Sequence, residues 1–183
     1  ERSMLANNRH AALNHLSARW AWVEDDAAYF GAVKSPKLRG VAARYTLDAG
    51  GLLVLGGSGK GKTASVNRAL RRLVRAATRR ADVPRVVWTT AAALVGARIE
   101  QKFGEHEAPL IGKARAAPVL VVDELGFERL DQPFWTDLID CRYGHGVTIV
   151  TSGASLEQLR ERYGGATIRK LLEPVGASVD AGA

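Results

Sequence analysis

The chain is poor in several things that narrow its function. A single cysteine, Cys141, in 183 residues excludes a disulfide framework and a cysteine-based zinc module. The expectation for it is an inert buried thiol. Long apolar runs are missing too: the longest, such as Pro118–Val122, are strand-sized, so no membrane span is expected. His10, His15, His106 and His145 show no metal-ligand spacing. The opening ERSMLANNRH has no basic-then-apolar signal region, which leads to the expectation of a cytoplasmic protein. Acidic residues are outnumbered, 19 against 26 Lys and Arg, and the resulting net charge of +7 points to a polyanionic partner. With 46% apolar residues, the length suits one α/β domain with a real core and a short appendage.

What is present is concentrated in residues 51–63, GLLVLGGSGKGKT. Leu52 to Leu55 reads as a buried strand feeding a glycine-rich turn, and from Gly56 the spacing is G-x-x-x-x-G-K-[ST], a phosphate-binding loop. Gly56, Gly57, Gly59 and Gly61 let the backbone approach a ligand closely, so that successive N–H groups, Ser58 among them, can surround an anion. A helix starting near Lys62 adds its positive end. Lys62 would reach the β- and γ-phosphates of ATP, and the Thr63 hydroxyl would ligate Mg2+. Lys60 lies in the variable part of the loop, where solvation is expected.

The second decisive stretch is Pro118–Glu124, PVLVVDE. Apolar residues followed by two acids describe a central parallel strand with carboxylates at its C-terminal end, where open α/β sheets bind ligands. Asp123 would sit opposite Thr63 at the Mg2+, and Glu124 would orient and polarise an attacking water. An aspartate alone suits a kinase equally; the adjacent glutamate argues for hydrolysis.

Elsewhere the spacing predicts a helix over 3–23, a break at Lys34-Ser35-Pro36, and helices over 63–80, 91–103, 110–116, 131–143 and 166–172. Ser155 to Gln158 fits a capping box. Strands are predicted at 85–89 and 147–151, and the tail after Pro174 either adds a short fifth strand or frays. Trp20, Trp22, Tyr29 and Phe30 form either a partner-docking patch or a packed cluster, packing being the commoner outcome. Arg68, Arg71, Arg72, Arg75 and Arg79 share one face of the helix after the loop, either meeting DNA or solvated. Arg98, Lys102 and Phe103 join cations to an aromatic plane, the chemistry single-stranded nucleic acid needs, although Phe103 fits a core equally well. Tyr45, just before the first strand, is a candidate for contact with the adenine base.

The order of these elements, with PVLVVDELGF, LIDCRYGHGVTIVTSG and LEQLRERYGGATIRKLLE, resembles the DnaC/IstB-type branch of AAA+ ATPases over about residues 45–173. The resemblance implies an α/β P-loop core with a central parallel sheet flanked by helices over 46–183. A helical N-terminal segment over 1–45 would serve for partner docking, and no separate lid domain is expected. It implies ATP and Mg2+ at Gly56–Thr63 and Asp123/Glu124, with Thr151 and Ser152 at the sensor-1 strand end. Arg169 falls at the arginine finger that reaches a neighbouring subunit, and Arg142 is a second candidate for that role. Gly153 stands where the family usually has Asn, so slow hydrolysis is expected unless Thr151 or Ser152 substitutes. The implied activity is ATP hydrolysis by a homo-oligomer on DNA. Its partner is either a replicative helicase, with single-stranded DNA favoured, or a transposase on duplex DNA; a third reading has ATP acting as an assembly ligand with negligible turnover.

Overall fold

The computed structural model describes residues 2–16, 18–101, 106–129, 131–172 and 177–180. Helix α1 (Arg2–His15) is followed by a 3-10 turn (Ala18–Glu24), α2 (Asp26–Ala32), α3 (Pro36–Arg44) and strand β1 (Leu52–Leu55). Helix α4 (Lys62–Ala76) leads to β2 (Val86–Thr90), α5 (Ala91–Glu100) and α6 (Pro109–Ala116). Then come β3 (Val119–Leu125), α7 (Gln132–Arg142), β4 (Val147–Ser152), α8 (Leu156–Tyr163), α9 (Gly165–Leu172) and β5 (Ala177–Asp180).

The strands form one parallel sheet in the order β2-β3-β4-β1-β5, so the tail does supply the fifth strand. Because side chains alternate along a strand, the continuous apolar runs of β1, β3 and β4 serve two cores at once. Leu52, Val54, Val119, Val121 and Ile149 face α4 and the N-terminal elements. Leu53, Leu55, Leu120, Val122 and Val150 face α5 to α9. The crossovers place β1 between β4 and β5, so the loops after β1, β3 and β4 meet at one end of the sheet. Side chains cap several helix starts: Thr90 accepts from Ala93 N at 3.1 Å, Asp131 accepts from Phe134 N at 3.1 Å, and the expected capping box of Ser155 and Gln158 is closed.

The N-terminal segment departs most from expectation. The predicted helix over 3–23 ends at His15, where α4 takes over: Asn67 Nδ2 donates to Leu16 O at 3.0 Å, an acceptor that a continuing helix would use, and Arg68 donates to Val23 O at 2.6 Å. Ser35 and Pro36 do not simply break the chain; Ser35 accepts from Leu38 N and Pro36 occupies the first turn of α3, where its missing N–H is no loss. The arginine face after the loop is engaged mainly by the chain's own groups, with Arg75 and Arg79 still exposed. Arg71 and Arg75 both hold Glu24, Arg68 pairs with Asp26 and stacks on Tyr29, and Arg72 donates to the carbonyls of Ala42 and Tyr45. Arg79 pairs locally with Asp82. The stripe therefore fastens residues 16–45 to the core, and Leu16, Val23, Tyr29, Val33 and Leu38 are fully buried there. Of the aromatic group, Tyr29 is packed, while Trp22 and Phe30 keep 37% and 42% of their surface.

The Arg75 hydrogen bond, with the charges of Arg75 and Arg71, holds the Glu24 carboxyl below its ordinary value against partial desolvation. A depressed carboxyl stabilises the fold fully above its unfolded value, and that contribution is lost as pH falls through the folded one. The expected result is that hydrogen exchange in residues 18–33, corrected for intrinsic rates, accelerates as pH falls below 4.5. Glu24→Gln should abolish that step and give faster exchange at neutral pH. With its arms partly exposed, the clasp contributes no more than about 1 kcal/mol per pair.

Three further expectations are corrected. Arg142 is 2% exposed and cannot reach a neighbouring subunit: its guanidinium donates to Thr148 Oγ1 (2.9 Å), Ala114 O (2.6 Å), Ala117 O (2.8 Å) and Val147 O (2.8 Å). Tyr45 is buried at the end of α3 with its hydroxyl on Gly50 O at 2.7 Å, so its side chain is not open to a base. Cys141 is exposed, since it is its neighbour Arg142 that turns inward.

Candidate nucleotide site

The turn after β1 and the first turn of α4 form the floor of a cavity of about 550 Å3. Gly61 caps α4 with φ 92°, and a Cβ there would lie 2.6 Å from Val33 Cγ2, so both the backbone and the N-terminal segment require glycine. Lys62 folds back over the loop, its Nζ donating to Gly56 O at 2.6 Å and Gly57 O at 2.9 Å. Desolvation lowers its pKa, opposed by the charges of Asp123 and Glu124. An ammonium resting on carbonyls of a glycine-rich loop at a helix N-terminus is a cation placed for phosphate. Ser58, Gly59, Gly61 and Thr63 line the cavity; Lys60 is exposed and points off it.

Strands β3 and β4 supply the opposite wall. Thr63 Oγ1 donates to Asp123 Oδ1 at 2.9 Å, and Thr151 Oγ1 donates to the same oxygen. The sheet register is bulged between Val122 and Leu125, and Glu124 takes φ 61°, a left-handed conformation that costs a non-glycine residue about 1–2 kcal/mol. Its N–H donates to Thr151 Oγ1 at 3.1 Å, which holds the bulge and turns the exposed carboxylate toward the cavity. Thr151, not Ser152, is the strand-end residue that faces the site. Ser152 is fully buried, its hydroxyl donating to Leu125 O at 2.5 Å and accepting from Ala154 N at 3.0 Å.

Three features of the site carry no clear sequence signal. Phe127 is 72% exposed, yet it lines the cavity beside Glu124, and a Cβ on Gly153 would lie 2.7 Å from its Cζ. The ring thus fills the space a side chain at 153 would take. Its loop is pinned by buried Glu128, which accepts from Gly126 N at 2.9 Å and from the Tyr163 hydroxyl. The third feature is the outer wall of Trp20, Trp22, Ala32 and Val33, contributed by the N-terminal segment. In the sequence its two tryptophans are legible only as members of the aromatic group with Tyr29 and Phe30, read as a docking patch or a packed cluster.

The residues fit a magnesium nucleotide. Among the described residues no cluster of three acidic, His or Cys side chains could hold a metal alone, but Thr63 and Asp123 offer two convergent oxygens of the kind Mg2+ shares with substrate phosphates and water. Arg98, on α5, lies apart, donating to Gln101 Oε1 at 3.3 Å in a polar groove with Glu107, Asp131 and Asp137. Lys102 and Phe103 lie outside the described residues. Arg169 is on the exposed side of α9 and does not line the cavity of its own subunit.

A parallel sheet with a phosphate loop after its first strand, acids at the end of its third and a hydroxyl at the end of its fourth defines a P-loop nucleotide-binding protein of the AAA+ kind. Residues 26–173 match the family described as IstB-like ATP binding protein, and the chain belongs to that family. Solved structures share the fold. The DnaC helicase loader is 22% identical over 78% of this chain and 85% of its own, with a TM-score of 0.57. DnaI is 17% identical over 84% and 82%, TM-score 0.57. A DNA replication initiation factor is 14% identical over 85% of this chain and 46% of its own, TM-score 0.54. No curated protein matches the sequence.

Proposed function

We propose that this ATP-binding protein hydrolyses ATP, assembles side by side on DNA, and in that form loads a replicative helicase onto single-stranded DNA. The observation that supports hydrolysis is the convergence of Thr63, Asp123, Thr151 and Glu124 around the phosphate loop. Lys62 leaves the carbonyls of Gly56 and Gly57 to meet the β- and γ-phosphates. Thr63 and Asp123 would hold Mg2+, which when bound would neutralise charge on the phosphates. Glu124 accepts a proton from water as the water oxygen bonds to the γ-phosphorus and the bond to the β,γ-bridging oxygen breaks, giving ADP and phosphate. Arg169, exposed on α9, is the residue assigned to a neighbour's γ-phosphate, with the resulting sites at subunit interfaces.

The family match favours a second reading, an IstB-like transposition ATPase that binds duplex DNA and a transposase. The Phe127 ring over Gly153, which leaves no polar side chain there, favours a third, ATP as an assembly ligand with negligible turnover. ATP turnover with single-stranded, double-stranded and no DNA separates them. Stimulation by single strands, reduced at least about 100-fold in Lys62→Ala and in Arg169→Ala, is the expected result. Stimulation by duplex alone moves the assignment to transposition, and no turnover in any condition makes ATP an assembly switch. Arg169→Ala with wild-type turnover removes the shared site.

A further inference from the structure

We infer that buried Glu128 is a positioning residue for hydrolysis: it ties the loop that leaves β3 to α8 and thereby fixes where the Glu124 carboxylate stands. The inference rests on the hydrolytic reading above. Glu124 takes φ 61° and Gly126 φ 107°, so left-handed residues flank Leu125, and of the two only the glycine adopts that conformation without steric cost. A strained backbone of this kind persists only where its surroundings over-determine it. On the upstream side, Thr151 Oγ1 takes the Glu124 N–H at 3.1 Å. On the downstream side, the Ser152 hydroxyl donates to Leu125 O at 2.5 Å and Glu128 Oε2 takes the Gly126 N–H at 2.9 Å.

That downstream anchor is itself fastened outside the sheet. Glu128 Oε1 accepts from the Tyr163 hydroxyl, and Arg162 Nη2 donates to the Glu128 carbonyl while its Nε donates to the Tyr163 oxygen at 3.1 Å. Burial, and then the bond to Glu128, push the Tyr163 phenol upward, so it keeps the proton it donates. The Tyr163 ring stands edge-on to Trp135 of α7, 6.0 Å between centroids, so the hydroxyl is presented from a packed core. The Glu128 side chain is wholly buried, and burying an acid costs stability that an apolar residue of similar size would not. A local rule broken this close to a reacting group points to a residue that serves the group's geometry. The tie ends on α8, whereas Lys62 and Thr63 stand on α4. Loosening it therefore displaces the base and leaves the phosphate floor in place.

The test is turnover of the full chain at saturating ATP, beside calorimetric titration with MgATP and thermal unfolding. The variants are Glu128→Ala, Glu128→Gln, Tyr163→Phe, Glu124→Gln and the double variant Glu124→Gln/Glu128→Ala. Glu128→Ala should lower kcat about 10- to 100-fold while MgATP affinity stays within about 3-fold of wild type. Glu128→Gln should recover most of that loss, because its amide oxygen still accepts from Gly126 N and its NH2 donates to the Tyr163 oxygen. Tyr163→Phe keeps the ring and removes one bond, so it should show a smaller fall in kcat. Added to Glu124→Gln, Glu128→Ala should cost less than about 2-fold more, since a residue that acts through the base then has nothing left to position. Losses that multiply overturn the inference, and so does affinity that falls as steeply as kcat. Wild-type turnover in Glu128→Ala also overturns it; if that variant does not unfold cooperatively, wild-type turnover in Tyr163→Phe does so instead. Wild-type turnover in Glu124→Gln overturns the hydrolytic reading and the inference with it. That result is distinct from failure of the tie alone, in which Glu124→Gln still loses turnover.

Discussion

Glu124→Gln is expected to lower ATP turnover by at least about 100-fold while ATP affinity stays within a few-fold of wild type, because a general base of this kind contributes 100- to 10,000-fold. The amide keeps the size and backbone of the carboxylate, so the bulge and the Thr151 bond to residue 124 survive. What disappears is the ability to take a proton. The two oxygens proposed to hold Mg2+, Thr63 Oγ1 and Asp123 Oδ1, are untouched. Steady-state phosphate release beside a binding titration reads the split directly. Turnover equal to wild type would remove Glu124 from the chemistry and favour ATP as an assembly ligand. Equal loss of binding and turnover would show that the strained backbone at φ 61°, not the carboxylate, is what the substitution damaged.

The second large effect is on stability. Arg142→Met should destabilise the fold by about 3–5 kcal/mol, with a thermal midpoint lower by roughly 10 °C, since it leaves several buried acceptors without their donor. The guanidinium joins three elements, taking carbonyls from the end of α6, the start of β4 and the loop before β3, together with the Thr148 hydroxyl. Burial lowers its pKa to about 10, and it remains charged at neutral pH. Methionine replaces some of the volume but none of the donors. Thermal unfolding followed by circular dichroism checks this, and a midpoint within 2 °C of wild type would show that water satisfies those carbonyls instead.

How much of this could be read beforehand depended on whether a residue's task was local. Lys62, Thr63, Asp123 and the capping box at Ser155 act within a few residues of their own elements, and spacing alone located them. Arg142 has the same sequence appearance as a surface arginine; only the crossing of α6, β3 and β4 around it decides that it is buried. Arg68, Arg71 and Arg75 looked like part of a lone stripe because their partners, Asp26 and Glu24, are more than 40 residues away in sequence. Ser35-Pro36 is ambiguous between a break and a helix start, and the burial of Leu38 and Val41 resolves it. Thr151 and Ser152 are equivalent in pattern, yet strand alternation turns one to the cavity and the other to the Leu125 carbonyl. Phe127 and the strained Glu124 arise from a bulge, which has no side-chain signature.

Because α4 carries the phosphate loop at its first turn and holds residues 16–45 along its length, the appendage and the site behave as two ends of one lever. Val33 rests against Gly61, and the Tyr29 hydroxyl lies 3.0 Å from Ser65 Oγ, which donates to Gly61 O at 2.9 Å. Thermodynamic reciprocity then sets the terms for any partner that grips this appendage: whatever factor it applies to nucleotide affinity, nucleotide applies back to it.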